Sequence, residues 1–193
     1  MEEKEGKPEP NVVPDKIIYL IHAFRTSQAL FTACDLGIFD MLHTSTIPLS
    51  AQEVSHNMSS NTDATTRLLD GLVTLELLEK TKQGDLWLYN NTTIANKFLT
   101  RSSLESLVDY AALNNKIDYP LFANLASAVR EGTPQWMKTF GRSSQEVWKE
   151  QYENEEACLR FMSAMHGSSL HGSDAVAQAF DLTAYTKCCD LGG

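Results

Sequence analysis

Between Ser50 and Tyr89 the sequence spells out four elements in a fixed order, and that order constrains the fold more than any other feature. Ser50-Ala-Gln-Glu53 is a capping box: the Ser hydroxyl and the Glu carboxylate each satisfy a backbone N–H that the first helical turn leaves orphaned. It opens a helix to about Asn57. A polar turn at Ser59–Asn61 leads to a second helix over about 63–79, where Leu68, Leu69, Leu72, Leu75 and Leu78 recur at helical spacing and form one apolar face. Two short strands follow, about Glu79–Thr81 and Leu86–Tyr89, joined by Gln83-Gly84-Asp85. Gly84 supplies the positive φ of a tight hairpin. Helix, turn, helix, hairpin is the order of a winged helix-turn-helix.

Both flanks read as helical. Asp15 stands where a helix cap belongs, and Ile17, Leu20, Ile21, Phe24, Gln28 and Phe31 recur at helical spacing. That face is broad, which predicts a helix buried over much of its circumference. Gly37 offers the left-handed residue that ends it, before Ile38–Leu42 packs as a short second helix. Downstream, Ser102-Ser-Leu-Glu105 and Ser143-Ser-Gln-Glu146 are two further capping boxes. The pattern predicts helices at about 93–99, 103–117, 119–130, 144–152, 154–171 and 172–179. Pro120 falls in the first turn of its helix, and Gly132-Thr-Pro134 marks a loop. Tyr185-Thr-Lys-Cys-Cys-Asp-Leu-Gly-Gly193 reads as a β-strand running into glycines. A strand without a partner leaves backbone hydrogen bonds unmet, so its sheet is expected beyond residue 193 and the chain to be the front of a longer one.

Charge narrows the function. Sixteen Lys and Arg against 25 Asp and Glu give a formal net charge of −9, which argues against phosphate backbones and anionic membrane surfaces. In the second helix of the winged-helix pattern Arg67 is the only base, beside Asp63, Asp70, Glu76 and Glu79. Packing is therefore favoured over DNA recognition. Cys34, Cys158, Cys188 and Cys189 form no CxxC pair and no zinc-type cluster with His, so they are expected to be thiols and no metal site is expected. Met1–Pro14 lacks the apolar run of a signal peptide, and no apolar stretch reaches the roughly 20 residues of a membrane helix. Cytoplasmic is the default, and the sequons at Asn57, Asn90 and Asn91 are not expected to be glycosylated.

Candidate chemistry is sparse. Trp136, Trp148, Tyr152, Phe161, Met162 and Met165 are either the wall of a hydrophobic substrate site or plain core. Asp190-Leu-Gly-Gly193 is either a loop that lets a cofactor approach the backbone or an ordinary strand-to-loop turn. None of His22, His43, His56, His166 and His171 has an acid or nucleophile partner at sequence range.

Several stretches together carry a family likeness: Thr26–Asp40, Thr66–Glu79, Ala128-Val-Arg-Glu-Gly132, Arg160-Phe-Met-Ser-Ala-Met165, Ala179-Phe-Asp-Leu182 and Cys189-Asp-Leu-Gly-Gly193. From about residue 15 to its end the chain resembles the small-molecule O-methyltransferases that include the acetylserotonin (hydroxyindole) enzymes and the plant caffeate and flavonoid enzymes. The fold class implied is mainly α. A tail at 1–14, with Pro8, Pro10 and Pro14, precedes a winged-helix dimerisation domain at 15–100 and a helical substrate-lid or linker region at 101–183. The first strand of a truncated Rossmann-like domain occupies 184–193.

The resemblance implies a homodimer through the N-terminal helices, S-adenosyl-L-methionine as cofactor, and a small aromatic hydroxyl as acceptor, with N-acetylserotonin of melatonin synthesis the leading candidate. No nucleic acid, membrane or metal is implied. Cofactor contact is implied for Tyr152, Ser169 and Gly192, and substrate contact for Trp148 and Met165. The position of Ser169 is Ser in plant relatives and Trp in the vertebrate acetylserotonin enzymes. The catalytic base, a histidine, would lie outside this segment, so the 193 residues alone are expected to be inactive. The alternatives are a non-catalytic dimerisation module and, further off, a winged-helix DNA-binding regulator.

Overall fold

The computed structural model describes residues 15–189, and the expectations for residues 1–14 and for Asp190–Gly193, Gly192 included, lie outside them. The order is α1 (Asp15–Asp35), α2 (Ile38–Thr44), β1 (Leu49–Ser50), α3 (Ala51–Asn57), α4 (Thr62–Thr74), β2 (Leu78–Gln83), β3 (Leu86–Asn91) and α5 (Thr93–Phe98). Then come α6 (Val108–Leu113), a π-helical turn (Asn114–Asp118), α7 (Tyr119–Phe122), α8 (Leu125–Glu131), α9 (Trp136–Phe140), α10 (Ser144–Glu153) and α11 (Glu155–Gln178). The fold is mainly helical, with one antiparallel sheet in the order β1-β3-β2. Among the described residues no helix is long and apolar enough to cross a membrane.

The helix–turn–helix–hairpin order is present, but its boundaries move. The Ser50 box forms: Glu53 N–H donates to Ser50 Oγ at 3.3 Å and Ser50 N–H to Glu53 Oε2 at 2.7 Å. The second helix stops at Thr74 rather than 79. Glu76 turns left-handed at φ 58°, Leu77 N–H reaches back to Leu72 O at 3.0 Å, and Glu76 N–H to Val73 O at 2.9 Å. This is a Schellman stop with Glu where glycine is usual, so composition hid it and the strand that follows begins at Leu78. The turn after α3 ends the same way at Ser59, φ 52°. Gly84 takes the positive φ of the hairpin, and Gly37 does so after α1. β1, invisible to periodicity at two residues, pairs Leu49 with Tyr89 and Ser50 with Leu88.

The core sits between α1, α2, α3, α4 and the sheet. Ala33, Ile38, Phe39, Leu42, Val54, Leu69, Leu72 and Tyr89 are almost fully removed from water. At about 1.5–3 kcal/mol for each large apolar side chain, this cluster is the main source of stability. The broad burial expected for α1 is not found: only Ala33 and Cys34 are buried, while Ile17, Ile18, Tyr19, Leu20, Ile21 and Phe24 face solvent. The C-terminal part of α1 packs on α2, α4 and α6, and its N-terminal half extends beyond the core.

Further corrections follow from competing partners. The Ser102–Glu105 box does not form, because Glu105 pairs with Lys97 at 3.0 Å and Ser103 Oγ donates to Lys97 O at 2.5 Å. Leu107 N–H returns to Phe98 O at 2.7 Å, so the helix begins only at Val108. Instead of running on to 117 as an α-helix, the chain widens into the π turn, closed by Tyr119 N–H to Asn114 O. Asn115 there donates to Asp35 at 2.9 Å and accepts from Gln28 at 3.3 Å, tying the turn to α1. The helix expected over 119–130 breaks at Ala123-Asn124, where the Asn124 amide donates to Thr139 Oγ1 at 3.0 Å. Gly172 does not divide the last helix, and α11 runs unbroken across it. Among the described residues 185–189 no strand forms; with no strand alongside, this segment is irregular and exposed.

Candidate functional site: an aromatic wall on two capped helices

The candidate site residues lie on α10 and α11, and local chemistry fixes how these helices meet. Ser143 and Glu146 form the expected box, with Ser143 N–H donating to Glu146 Oε2 at 2.7 Å. The bonds from the Ser143 backbone and hydroxyl hold the Glu146 carboxyl below its usual value. Asn154 ends α10 in an extended conformation and caps α11 in turn, its side chain accepting from Ala157 N–H at 2.9 Å. One residue therefore makes the corner, and α10 folds back onto α11.

Trp148 and Tyr152 are one turn apart on α10; Phe161, Met165 and Ser169 are one turn apart on α11. The corner brings both faces together at Phe161. Its ring centroid lies 5.2 Å from Trp148 and 5.8 Å from Tyr152, the latter nearly edge-on at 79°. Trp148 continues the run to Trp136 at 6.1 Å, and Trp136 to Phe140 at 5.6 Å. Tilted and edge-on contacts at these separations are the favourable ones for aromatic rings. Five rings thus form one wall, with Trp148 and Phe161 half-buried and Tyr152 56% exposed.

The wall is neither core nor fully open surface. Phe161, grouped with the other apolar residues in the sequence, is its centre. The helix carrying Trp136 and Phe140 was not expected; their spacing of four was the available signal. Met165 is half-buried one turn beyond Phe161, and Ser169 is exposed one turn further. Ser169 donates its hydroxyl proton to Met165 O at 2.8 Å, which leaves Oγ as an acceptor. Among the described residues the Tyr152 hydroxyl has no hydrogen-bond partner.

The opposite side of α11 is locked to α6. Gly167 is buried there, and a Cβ on it would stand 2.6 Å from the Ser106 carbonyl oxygen. Ala164 is buried beside it. The small residues Ala164 and Gly167 let α11 approach this side closely.

A second polar cluster belongs to the hairpin. Asp70 on α4 accepts from Lys80 Nζ at 2.6 Å and from Tyr89 Oη at 2.7 Å. Burial works to raise the Asp70 carboxyl, but these two bonds outweigh it and hold the group below its ordinary range. Lys80 is held above its own value chiefly by the bond to Asp70. One of the four acids that weigh against DNA recognition thus fastens α4 to the hairpin, leaving Arg67 as the single base of α4.

Comparison with known proteins places these features. A model of the O-methyltransferase dimerisation domain matches residues 18–101, and a model of the O-methyltransferase domain matches residues 122–193. Acetylserotonin O-methyltransferase of Bos taurus is 37% identical over 173 residues, 89% of this chain and 50% of that protein. A probable bifunctional dTTP/UTP pyrophosphatase/methyltransferase protein of Homo sapiens is 36% identical over 181 residues, 93% of this chain and 28% of that one. The crystal structure of human N-acetylserotonin methyltransferase in complex with SAM superposes with a TM-score of 0.84 at 33% identity, covering 97% of this chain and 54% of that one. The chain therefore spans about half the length of the acetylserotonin relatives it matches.

Proposed function

We propose that this chain, which belongs to the O-methyltransferases that join a dimerisation domain to a methyltransferase domain, is the dimerising and substrate-covering part of an S-adenosylmethionine-dependent enzyme. Its acceptor is a small aromatic hydroxyl, with N-acetylserotonin the first candidate. The observation that carries this reading is the half-exposed run of rings centred on Phe161. A planar aromatic acceptor is bound by just such edge and face contacts.

In this reading Trp148 and Met165 contact the acceptor ring, and Tyr152, Ser169 and Gly192 contact the cofactor. Ser169 Oγ has spent its proton on Met165 O, so it suits a hydroxyl or ammonium donor, while the Tyr152 hydroxyl is left for a partner of its own. S-adenosylmethionine, when bound, supplies an electrophilic methyl group to the acceptor oxygen. The residues of this chain orient the ring and keep water from it, which is what a direct displacement needs most. No side chain of this segment is assigned to proton removal. The homodimer is proposed to form through α1, whose apolar N-terminal half is uncovered by the chain's own fold. Among the alternatives, a non-catalytic dimerisation module shares that surface and differs in making no use of the aromatic wall.

The test is a chimera joining residues 1–189 to the methyltransferase part of the Bos taurus enzyme, assayed for methyl transfer to N-acetylserotonin. Trp148→Ala is expected to raise the acceptor KM by up to about tenfold, from the loss of ring contact. An active chimera with unchanged KM would remove Trp148 from the site. Sedimentation of the 193-residue chain at micromolar concentration should give a dimer; a strict monomer would remove α1 as the interface.

A further inference from the structure

One small cleft among the described residues has a composition at odds with the chain around it. It lies where α6 and the π-helical turn meet α10 and α11, encloses about 80 Å³, and shares Phe161 with the aromatic wall. Its charged lining residues are Lys116 and Arg160, joined by the amide of Gln151, and no acid lines it. Acids outnumber bases 25 to 16 in the chain as a whole, so a cleft lined by two cations alone runs against the background. Arg160 also meets Glu156 one turn earlier on the exposed flank of α11, whereas Lys116 makes no ion pair among the described residues. The remaining lining is apolar.

We infer that this cleft seats a carboxylate carried on a short arm of an aromatic ligand at the wall, so that an acidic phenol or indole gains a contact that a neutral acceptor such as N-acetylserotonin does without. The inference rests on the aromatic wall being the acceptor site. Size fits: at the roughly 30 Å³ that a water molecule takes in the liquid, the cleft has room for two or three heavy atoms, the size of a carboxylate. Chemistry fits as well. An ammonium and an amide N–H both donate, and a charged acceptor between them makes bonds about twice as strong as a neutral one. Because Lys116 is itself exposed, it keeps much of its hydration when the cleft is empty, and the fold needs no counter-ion for it.

The experiment titrates the 193-residue chain with 4-hydroxyphenylacetate and with its neutral amide, 4-hydroxyphenylacetamide, following tryptophan fluorescence. The carboxylate is expected to bind about three- to tenfold more tightly, and the margin should shrink with added salt. Lys116→Met should erase the margin and leave the neutral probe unchanged, Lys116→Arg should keep it, and Phe161→Leu should weaken both probes. Equal affinities, or a margin untouched by Lys116→Met, would overturn the cleft assignment while the wall stands. No response to either probe, or a response indifferent to Phe161→Leu, would overturn both.

Discussion

The cluster formed by α2, α4 and β3 and the pair α10–α11 place their large side chains in opposite ways. In the first, Phe39, Leu69, Leu72 and Tyr89 are sealed from water and bind one another. In the second, Val147 and Ala164 are the buried hydrophobic residues, and the large rings stand half in solvent. A chain that leaves Trp148, Phe161 and Tyr152 as a wall has used only part of their surface for its own stability. The difference separates a part that holds the fold from a part shaped to touch something else.

The sharpest way to break this comparison is to remove a ring from the sealed part. Phe39→Ala is expected to cost about 3–5 kcal/mol, measured by denaturant unfolding. Burial pushes the Cys34 thiol up to about 12, with Asp35 adding to the effect. A thiol reagent should therefore reach Cys34 only on unfolding, and the Phe39→Ala variant should label much faster. A loss below about 1 kcal/mol, typical of a surface site, would mean that this cluster does not carry the fold.

Gly167→Ala tests the back of the wall. Its new methyl group would meet a backbone oxygen, which cannot rotate away as a side chain would. A cost of about 1–3 kcal/mol is expected, together with slackened docking of α11 on α6 visible in hydrogen exchange. Gly172→Ala is the matched control, since nothing stands within 4 Å of its new Cβ. It should stabilise the chain by about 0.5–1 kcal/mol through helix propensity alone. If both alanines behave alike, the close approach at Ser106 is not limiting.

The smallest effect expected is a pH dependence confined to the hairpin. The folded-state carboxyl of Asp70 titrates below its unfolded value. Its contribution is therefore complete above the ordinary carboxylate range near pH 4 and is lost as pH falls through the folded value. Asp70→Asn should flatten the acid limb of the stability profile by lowering stability slightly at neutral pH, the two proteins converging in acid, with a small effect because the pair is partly exposed. An acid limb identical in the variant would assign it to other carboxylates.

Much of this was legible in the sequence where a signal is local. The Ser50 and Ser143 boxes, Gly37 and Gly84 all act where spacing placed them, because each satisfies its bonds within a few residues. What stayed hidden depends on distant partners. Lys97 takes Glu105 and unmakes the third box; Asp35 and Gln28 fasten Asn115 and widen the helix there. Two stops, at Ser59 and Glu76, use residues that rarely turn left-handed, so no glycine announced them. At the wall, periodicity gave the faces of α10 and α11, but the meeting of Trp148 and Tyr152 at Phe161 needed the one-residue corner at Asn154.

The π-helical turn at Asn114–Asp118 holds one surplus residue within an otherwise continuous helical run from Val108 to Phe122. Excising a single residue there would let the run close as ordinary α-helix with its backbone bonds intact. Because the wide turn takes up the extra residue, positions downstream, Phe122 and the rest of α7 included, would keep nearly their present faces, whereas the same excision from a regular α-helical stretch would turn them by about 100°. The segment works as slack in the ladder of amides, a place in this run where an inherited deletion of three nucleotides would leave the downstream surface in register.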